Sequence, residues 1–337
     1  MRVLLTGGAG YVGSHAAREL ARRGHMVVVL DDLSTGHEAA ISGLPLVRLD
    51  ITRDEIEPVL REGRFDAAMH FAARCLVPES VERPAQYWRT NLIGGLRLLD
   101  ALVAVGPKRL IFSSTCATYG LPREVPIPED HPKAPITSYG RSKLAFEHAL
   151  QDYARAYGLG SISLRYFNAA GAAEDGSHGE DHAVETHLIP LVLRAAAGGP
   201  PVRIFGTDYD TPDGTCIRDY VHVDDLARAH VLALEQIEPG AAEALNVGTG
   251  IGHSVREVIE VAARVTGRTI PVVEAERRPG DPPRLVARGE RARERLRFVP
   301  ERSLDDIVRS AWAWHSRHPG GYGDGGGGFD GAGRRTA

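Results

Sequence analysis

The chain has 337 residues, of which 43% are hydrophobic and 25% charged, and its formal net charge at pH 7 is −4. This composition is typical of a globular protein with one large domain or two packed smaller ones. The net charge excludes a generally basic surface for nucleic acid, and no apolar run is long enough to cross a membrane. The cysteines, Cys75, Cys116 and Cys216, lack CxxC spacing and fit a reducing compartment. Because the N-terminal segment resembles a strand rather than a secretory leader, we expect a soluble cytoplasmic protein.

Short apolar runs alternate with amphipathic segments through the first half of the chain. The predicted strands are Arg2–Thr6, Met26–Leu30, Leu46–Arg48, Ala67–His70, Arg109–Ser113, Ser161–Arg165 and Tyr220–Val223. The predicted helices are Ser14–Arg23, Asn91–Val105, Tyr139–Tyr157 and Asp224–Leu234. This alternation predicts an α/β fold with a doubly wound parallel sheet of the Rossmann type, covered by helices on both faces.

The alternation breaks after Asn168, where Gly, His and acidic residues dominate as far as Glu185. We interpret this break as the crossing into a smaller, mixed α/β domain that holds the substrate. The predicted cofactor domain covers residues 1–168 and is rejoined by residues 218–248. The predicted substrate domain covers residues 169–217 and 249–319. The Gly-rich tail, residues 320–337, has little to bury and is expected to be disordered.

A glycine-rich turn joins the first predicted strand to the first predicted helix. Gly7 permits a tight turn, Gly10 lets the backbone approach a pyrophosphate, and Gly13 lets the helix pack close to the strand. Asp31 ends the second strand, where a carboxylate accepts hydrogen bonds from the adenosine ribose and repels a 2′-phosphate. No arginine occupies residues 31–36, so the pattern favours NAD over NADP. Glycine-rich turns are common, and it is the strand, helix and acid together that carry this prediction.

Tyr139 and Lys143 stand four residues apart at the start of a predicted helix. Side chains at this spacing lie on one helix face, about 6 Å apart, and an ammonium beside a phenol favours the phenolate. We therefore expect the pKa of Tyr139 to be lowered toward neutral pH. Ser138 and Pro135 indicate the helix boundary and place Tyr139 at the mouth of the sheet. Taken alone, the pair is equally compatible with an ordinary surface contact.

Hydroxyl residues end the fifth predicted strand, in the stretch FSSTCATYG at residues 112–120. Ligands of doubly wound folds bind at the carboxyl edge of the sheet, so Thr115 can share a proton with a substrate hydroxyl and with Tyr139. Hydroxyl residues at a strand end are often only turn formers. Their combination with the glycine turn, Asp31 and the Tyr139–Lys143 pair is much rarer than its parts.

With these motifs the sequence resembles the extended short-chain dehydrogenase/reductases, and within them the UDP-glucose 4-epimerases. The likeness extends from Met1 to about Tyr322. The matching stretches are TGGAGYVGSH (6–15), DDLSTG (31–36), HFAA (70–73), SYGRSK (138–143), LRYFNAAGA (164–172), HLIP (187–190), FGTDYDTPDGTCIRDYVHV (205–223), IRDYVHVDDLA (217–227) and RRPGD (277–281). The resemblance implies an isomerase of galactose metabolism that interconverts UDP-galactose and UDP-glucose through a 4-keto intermediate, with NAD transiently reduced.

The family's functional residues carry over to matching positions of this chain. The catalytic residues implied are Thr115, Tyr139 and Lys143. Those implied for NAD are Gly7, Gly10, Tyr11, Val12, Gly13, Asp31, Asp32, Ser34, Thr35, Asp50, Ile51, Phe71, Ala72, Ala73, Asn91, Tyr139, Lys143 and Phe167. Those implied for the UDP-sugar are Thr115, Tyr139, Asn168, His187, Leu188, Phe205, Arg218, Arg278 and Asp281, the last on the uridine ribose. Arginine forks suit a diphosphate.

Three positions depart from the family pattern. Thr115 stands where serine is frequent, and its hydroxyl preserves the chemistry. Cys75 stands where some relatives carry a lysine near the cofactor. Leu285 stands where some carry a tyrosine, and we hypothesise that this smaller residue admits an N-acetylated sugar.

Alternative functions remain open at this stage. A 4,6-dehydratase needs an acid beside the catalytic hydroxyl, but Cys116 and Ala117 follow Thr115. An epimerase for uronic acids or pentoses fits the same pattern, whereas an NAD-sensing regulator would not need the Tyr139–Lys143 pair. The spacing of His178, His182 and His187 matches no zinc motif, so no metal is expected. The resemblance further implies a homodimer, through the helices predicted over residues 91–105 and 139–157.

Overall fold

The protein is described by a computed structural model that covers residues 1–278 and 280–323. Its strands are β1 (Arg2–Thr6), β2 (Met26–Asp31), β3 (Leu46–Arg48), β4 (Ala67–His70), β5 (Arg109–Thr115), β6 (Gly160–Tyr166), β7 (Asn168–Ala170), β8 (Val202–Phe205), β9 (Ile217–His222), β10 (Ala242–Val247), β11 (Gly252–Ser254), β12 (Val272–Ala275) and β13 (Arg284–Leu285). Its α-helices are α1 (Tyr11–Arg22), α2 (Glu57–Gly63), α3 (Val77–Glu82), α4 (Pro84–Tyr87), α5 (Gly95–Val105), α6 (Ser138–Tyr157), α7 (Leu188–Ala196), α8 (Val223–Glu235), α9 (Val255–Thr266), α10 (Glu290–Leu296) and α11 (Leu304–Arg317). The predicted helix over residues 91–105 begins earlier, as a π-helix over Trp88–Gly94 that runs into α5.

A seven-stranded parallel sheet forms the centre of the molecule, in the order β10-β6-β5-β4-β1-β2-β3. The five inner strands are almost entirely buried because both faces are covered, and this is why they appear as continuous apolar runs in the sequence. One apolar core packs α1 and α8 against the sheet, and a second packs α2, α5 and α6 against the opposite face. The predicted doubly wound α/β fold is confirmed.

The direction of winding reverses between β1 and β4. From β1 the chain proceeds outward to β2 and β3, and then crosses back to β4 on the other side of β1. The reversal leaves a crevice between the loops that follow β1 and β4, and this is where open α/β sheets bind their ligands. The glycine-rich turn and the HFAA segment therefore face each other across the crevice.

Two smaller sheets lie beyond the carboxyl edge of the central sheet. Strands β7, β9, β11 and β13 form one of them, and β8 pairs with β12 in the other. A third apolar core joins α7, α9 and α11 beside them. The predicted return of residues 218–248 to the central sheet begins with α8, because β9 belongs to the smaller sheet while β10 pairs in parallel with β6.

The end of the described chain corrects one expectation. Tyr322 lies in the segment expected to be disordered, yet its backbone N–H donates to Asp181 and its ring packs 4.7 Å from that of Trp314. One aromatic side chain among glycines fixes this segment against Trp314 of α11. The rest of the predicted tail, residues 324–337, lies outside the described residues. Among the helices of the described part, none is both long and apolar enough to span a membrane.

Candidate active site

The glycine-rich turn has the backbone geometry that its spacing predicts. Gly7 has φ +71°, and a Cβ at this position would lie 2.3 Å from the backbone nitrogen of Ala72. A Cβ at Gly13 would lie 2.4 Å from the carbonyl oxygen of Gly7, so only glycine lets α1 approach the turn this closely. A Cβ at Gly10 would contact only the Gly7 carbonyl oxygen, at 3.5 Å. Gly10 thus borders open space rather than protein.

The N-terminus of α1 opens into the crevice. Its N-cap is Gly10, which offers no side chain, so the first N–H groups of the helix have no side-chain acceptor. Unsatisfied N–H groups and the helix dipole favour an anion at this point. The residues present therefore fit a pyrophosphate.

Asp31 connects the end of β2 to the glycine-rich turn. Its carboxylate accepts hydrogen bonds from the N–H groups of Ala9 and Leu33, both at 2.9 Å. Burial raises the pKa of Asp31, and these two backbone hydrogen bonds oppose the rise. A carboxylate has about four acceptor positions, so two remain for ribose hydroxyls.

Most other residues predicted around the cofactor follow the carboxyl ends of the central strands. They are Asp32, Ser34 and Thr35 after β2, Asp50 and Ile51 after β3, Phe71, Ala72 and Ala73 after β4, and Phe167 after β6. Asn91 reaches the same crevice from the π-helix, but its amide bonds to protein. It accepts from the N–H of Arg74 at 2.8 Å and donates to the Arg74 carbonyl and the Ser142 hydroxyl, at 3.0 and 3.1 Å. Asn91 thus holds the loop after β4 against α6.

Thr115 and Tyr139 meet at the carboxyl end of β5. Thr115 is buried, its hydroxyl accepts from the N–H of Ala117 at 3.1 Å, and it also hydrogen-bonds the phenol of Tyr139. Thr137, whose hydroxyl accepts from the N–H of Gly140 at 3.2 Å, caps α6 and fixes where Tyr139 leaves the helix. The structure therefore brings together the two hydroxyls that the sequence predicted to share a proton.

Lys143 does not act on Tyr139 as the spacing predicted. Its ammonium donates to the carbonyl of Ser113 at 2.8 Å and lies 4.8 Å from the centre of the Phe112 ring. Burial lowers the pKa of Lys143 to about 8. Burial also raises the pKa of Tyr139 well above 10, and the hydrogen bond from Thr115 is what opposes the rise. The expected lowering of the Tyr139 pKa by Lys143 is therefore wrong for the protein without cofactor, because desolvation dominates.

Gly140 is a site residue that the sequence reasoning missed. A Cβ there would lie 2.5 Å from the carbonyl oxygen of Ala117, so the absence of a side chain is what brings the first turn of α6 against the turn after Thr115. The signal was present as the glycine of SYGRSK, in a helix where glycine is otherwise unfavourable.

We expect Gly140→Ala to lower kcat on the order of 10²-fold, because small misplacements of reacting groups have effects of this size. Alanine favours a helix over glycine by about 1 kcal/mol, so weaker helix propensity would not explain the loss. The control is Gly289→Ala, where the nearest atom to a Cβ lies at 3.6 Å. Equal turnover of the two variants would contradict the role given to Gly140.

The residues expected to hold the nucleotide lie across from Thr115, on the smaller sheets. Arg218 lies on β9 and donates through its guanidinium to Asp281 and to the carbonyl of Ile217. Arg278 is exposed and lies 4.0 Å from the centre of the Phe205 ring. Two of the predicted diphosphate and ribose ligands, Arg218 and Asp281, thus bind each other in this structure. Their separation of 63 residues hides this pairing from the sequence.

The other residues predicted to contact the UDP-sugar lie on the same side of the crevice. Asn168 begins β7 and donates to the carbonyl of Asp219 at 3.1 Å, and His187 precedes Leu188, the first residue of α7. Leu285, on β13, packs against a small cluster that includes Cys116 and Phe167. Of the three histidines considered for a metal, His178 packs on His15 and Tyr322, apart from His182 and His187.

The chain was compared with known proteins. The model of the NAD dependent epimerase/dehydratase family matches residues 3–248, which include the glycine-rich turn, Thr115, Tyr139 and Lys143. The chain belongs to this family. The matched part of this epimerase/dehydratase covers the central sheet and ends just after β10.

Individual relatives match the chain over nearly its whole length. UDP-glucose 4-epimerase of Corynebacterium glutamicum is 50% identical over 319 residues, which are 94% of this chain and 96% of that protein. The crystal structure of UDP-glucose 4-epimerase from Brucella ovis in complex with NAD is 49% identical, with a TM-score of 0.89, and covers 92% of this chain and 97% of that one. The enzyme from Bifidobacterium longum in complex with NAD⁺ and UDP has a TM-score of 0.91 at 37% identity, with 96% and 100% covered. The resemblance read from the sequence is confirmed.

Proposed function

We propose that the chain is an NAD-dependent isomerase that interconverts UDP-galactose and UDP-glucose by inversion at C4. The observation that carries the proposal is the Thr115–Tyr139 hydroxyl pair, held at the carboxyl end of β5 beside a glycine-rich turn with an uncapped helix N-terminus. The likeness to UDP-glucose 4-epimerases at about half identity supports it over nearly the full chain.

The two hydroxyls supply the acid–base chemistry. Tyr139 takes the proton of the 4-hydroxyl and later returns it, and Thr115 hydrogen-bonds the phenol and orients it toward the substrate oxygen. Lys143 supports them as a buried positive charge anchored on the Ser113 carbonyl. No carboxylic acid adjoins Thr115 in the chain, because Cys116 and Ala117 follow it, and this opposes a dehydratase reaction.

The cofactor is NAD, held by Asp31, the glycine-rich turn and the residues that follow β3, β4 and β6. When bound, NAD is the oxidant that accepts the C4 hydride and returns it, and the positive charge of its nicotinamide favours the phenolate of Tyr139.

His70 lies beneath this site as a neutral group, because burial and the nearby Lys143 lower the pKa of His70 to about 3. It donates or accepts one hydrogen bond with the hydroxyl of Thr6 at 2.7 Å.

Inversion requires that the ketose turn over while its nucleotide stays bound. We propose that the uridine diphosphate is held by Asn168, His187, Leu188, Phe205, Arg218, Arg278 and Asp281. Arg278 is free to reach a phosphate because its side chain is exposed and supported on the ring of Phe205. Arg218 needs its fork for the diphosphate, so binding must loosen its ion pair with Asp281. Most of the proposed substrate contacts are therefore made to the nucleotide rather than to the sugar.

The test is to mix the purified protein with UDP-galactose without added NAD and to measure UDP-glucose. We expect conversion to an equilibrium mixture, because the oxidant is regenerated in every turnover and stays bound. Parallel reactions with UDP-N-acetylgalactosamine, UDP-glucuronate and a UDP-pentose test the sugar, including the hypothesis on Leu285. Conversion of none of these substrates, with NAD present, would refute the proposed function.

We also propose that the protein works as a homodimer in the cytoplasm. Ile93, in the π-helix, is 51% exposed, and Tyr157, at the end of α6, is 49% exposed, so both helices expected at the interface offer apolar surface. Light scattering is expected to give the mass of two chains.

A further inference from the structure

Four side chains of metal-binding types meet in the segment between β7 and α7. They are Glu180, His182, Glu185 and His187, and one potential ligand atom from each lies within 4.8 Å of all the others. By spacing alone, the histidines of this segment match no zinc motif. In the folded chain Glu180 and Glu185 lie beside the two histidines, because the segment turns back on itself before α7 begins.

The distances describe a small four-membered cage. Nδ1 of His187 lies 2.8 Å from Glu180 Oε1 and 3.0 Å from Glu185 Oε1. Nδ1 of His182 lies 3.2 Å from Glu180 Oε1 and 3.5 Å from Glu185 Oε2. In a tetrahedral zinc site with bonds of about 2.0–2.1 Å, neighbouring ligand atoms are about 3.3 Å apart. The four nitrogen–oxygen distances of the cage, from 2.8 to 3.5 Å, bracket this spacing.

One ligand atom has no hydrogen-bonding partner. Nδ1 of His182 is buried and forms no hydrogen bond, although two carboxylate oxygens are near it. A buried polar nitrogen without a partner is costly, whereas a lone pair aimed at a cation is satisfied. This nitrogen points to a ligand inside the cage.

Charge balance leads to the same conclusion. Glu180 is buried and Glu185 mostly so, and together they need two positive charges nearby. Two protonated imidazoles are one way to supply them, at the nitrogen–oxygen distances given above. One divalent cation bound by two neutral imidazoles supplies the same charge and also uses Nδ1 of His182.

We propose that Glu180, His182, Glu185 and His187 form a closed four-coordinate site for a divalent transition metal, with zinc preferred by its two nitrogen and two oxygen ligands. This replaces the expectation of no metal. Because the chain fills all four positions, the ion would be structural rather than catalytic, and His187, bound through Nδ1, would keep its backbone and Nε2 for the nucleotide. It would fix the segment beside α1, where the ring of Tyr11 lies 6.5 Å from that of His182, and beside α11, where Trp314 donates to the carbonyl of Glu180 at 3.0 Å.

The test uses the full chain with its cofactor and does not depend on turnover. The protein is incubated with zinc sulfate, desalted and analysed for zinc by mass spectrometry. We expect about one zinc per chain, with a higher thermal unfolding midpoint than after chelation. His182→Ala is expected to lose both the zinc and the shift, and His253→Ala, a histidine on β11 outside the cage, is expected to keep them.

Cobalt provides a readout that separates a built site from loose surface binding. Substitution with Co²⁺ is expected to give the intense visible bands of a four-coordinate ion in the wild type and in His253→Ala, but not in His182→Ala. Less than about one-tenth of a zinc per chain after loading, or equal zinc in the three proteins, would overturn the proposal and leave the cage as a pair of protonated histidines. His182→Gln serves as the second variant if His182→Ala fails to fold.

Discussion

Tyr139→Phe is expected to lower kcat by about 10²–10⁴-fold, which is the range that a positioned acid–base group contributes. The substitution removes only the hydroxyl that meets Thr115, and the ring remains to fill its place at the start of α6. KM for UDP-galactose should change little, because the nucleotide is held by other residues. Initial rates of UDP-glucose formation measure both constants.

Two variants control this result. Tyr153→Phe removes a hydroxyl from the same helix, where it donates to Asp100 far from Thr115, and should leave kcat unchanged. Thr115→Ser keeps the hydroxyl that bonds Tyr139 and should retain most of the activity. A Tyr139→Phe enzyme that turned over within a few-fold of the wild type would remove Tyr139 from the reaction.

Glu147→Ala is expected to lower the free energy of unfolding by about 3–5 kcal/mol, because it leaves a buried guanidinium unpaired. Glu147, on α6, accepts from Arg165 Nε and Nη2 at 2.9 and 2.5 Å, and from the hydroxyl of Ser114 at 2.5 Å. Both ionised side chains are about 5% exposed. The pair joins β5, β6 and α6 directly behind Thr115. Urea unfolding followed by circular dichroism measures the change.

The matched control is an exposed ion pair. Asp305→Ala removes the partner of Arg264 on the surface, where the two side chains are 41% and 59% exposed. Such pairs contribute up to about 1 kcal/mol, so the midpoint should hardly move. If the two variants were destabilised equally, the buried pair would not be the element that holds α6 to the sheet.

Local sequence patterns were sufficient to predict the central sheet and part of the candidate active site. The inner strands β1, β2, β4, β5 and β6 appear in the sequence as apolar runs because helices cover both faces of the sheet, and the spacing of Gly7 and Gly13 reflects the close approach of α1 to its turn. Thr115 and Tyr139 were found because each stands at the end of an element, and the carboxyl ends of parallel strands share one edge. In each case the pattern that carries the prediction lies within a short stretch of sequence.

The features that the sequence did not disclose depend on contacts between distant segments. Desolvation of Tyr139 requires the whole crevice, so its effect on the pKa outweighs the neighbour four residues away. The Arg218–Asp281 pair joins β9 to a loop after β12. Tyr322 is ordered by Trp314 and Asp181, which no property of a glycine-rich segment indicates.

The pairing of β10 with β6 constrains how the protein is made. During synthesis the edge of β6 stays open until residues 242–247 have left the ribosome, and open edges of parallel sheets invite association with other chains. A fragment that ended at residue 168 would carry this edge permanently, together with the apolar surface that α8 covers. The cofactor half of the molecule is therefore not a separable module, and its completion waits for a segment translated after the first strands of the substrate half.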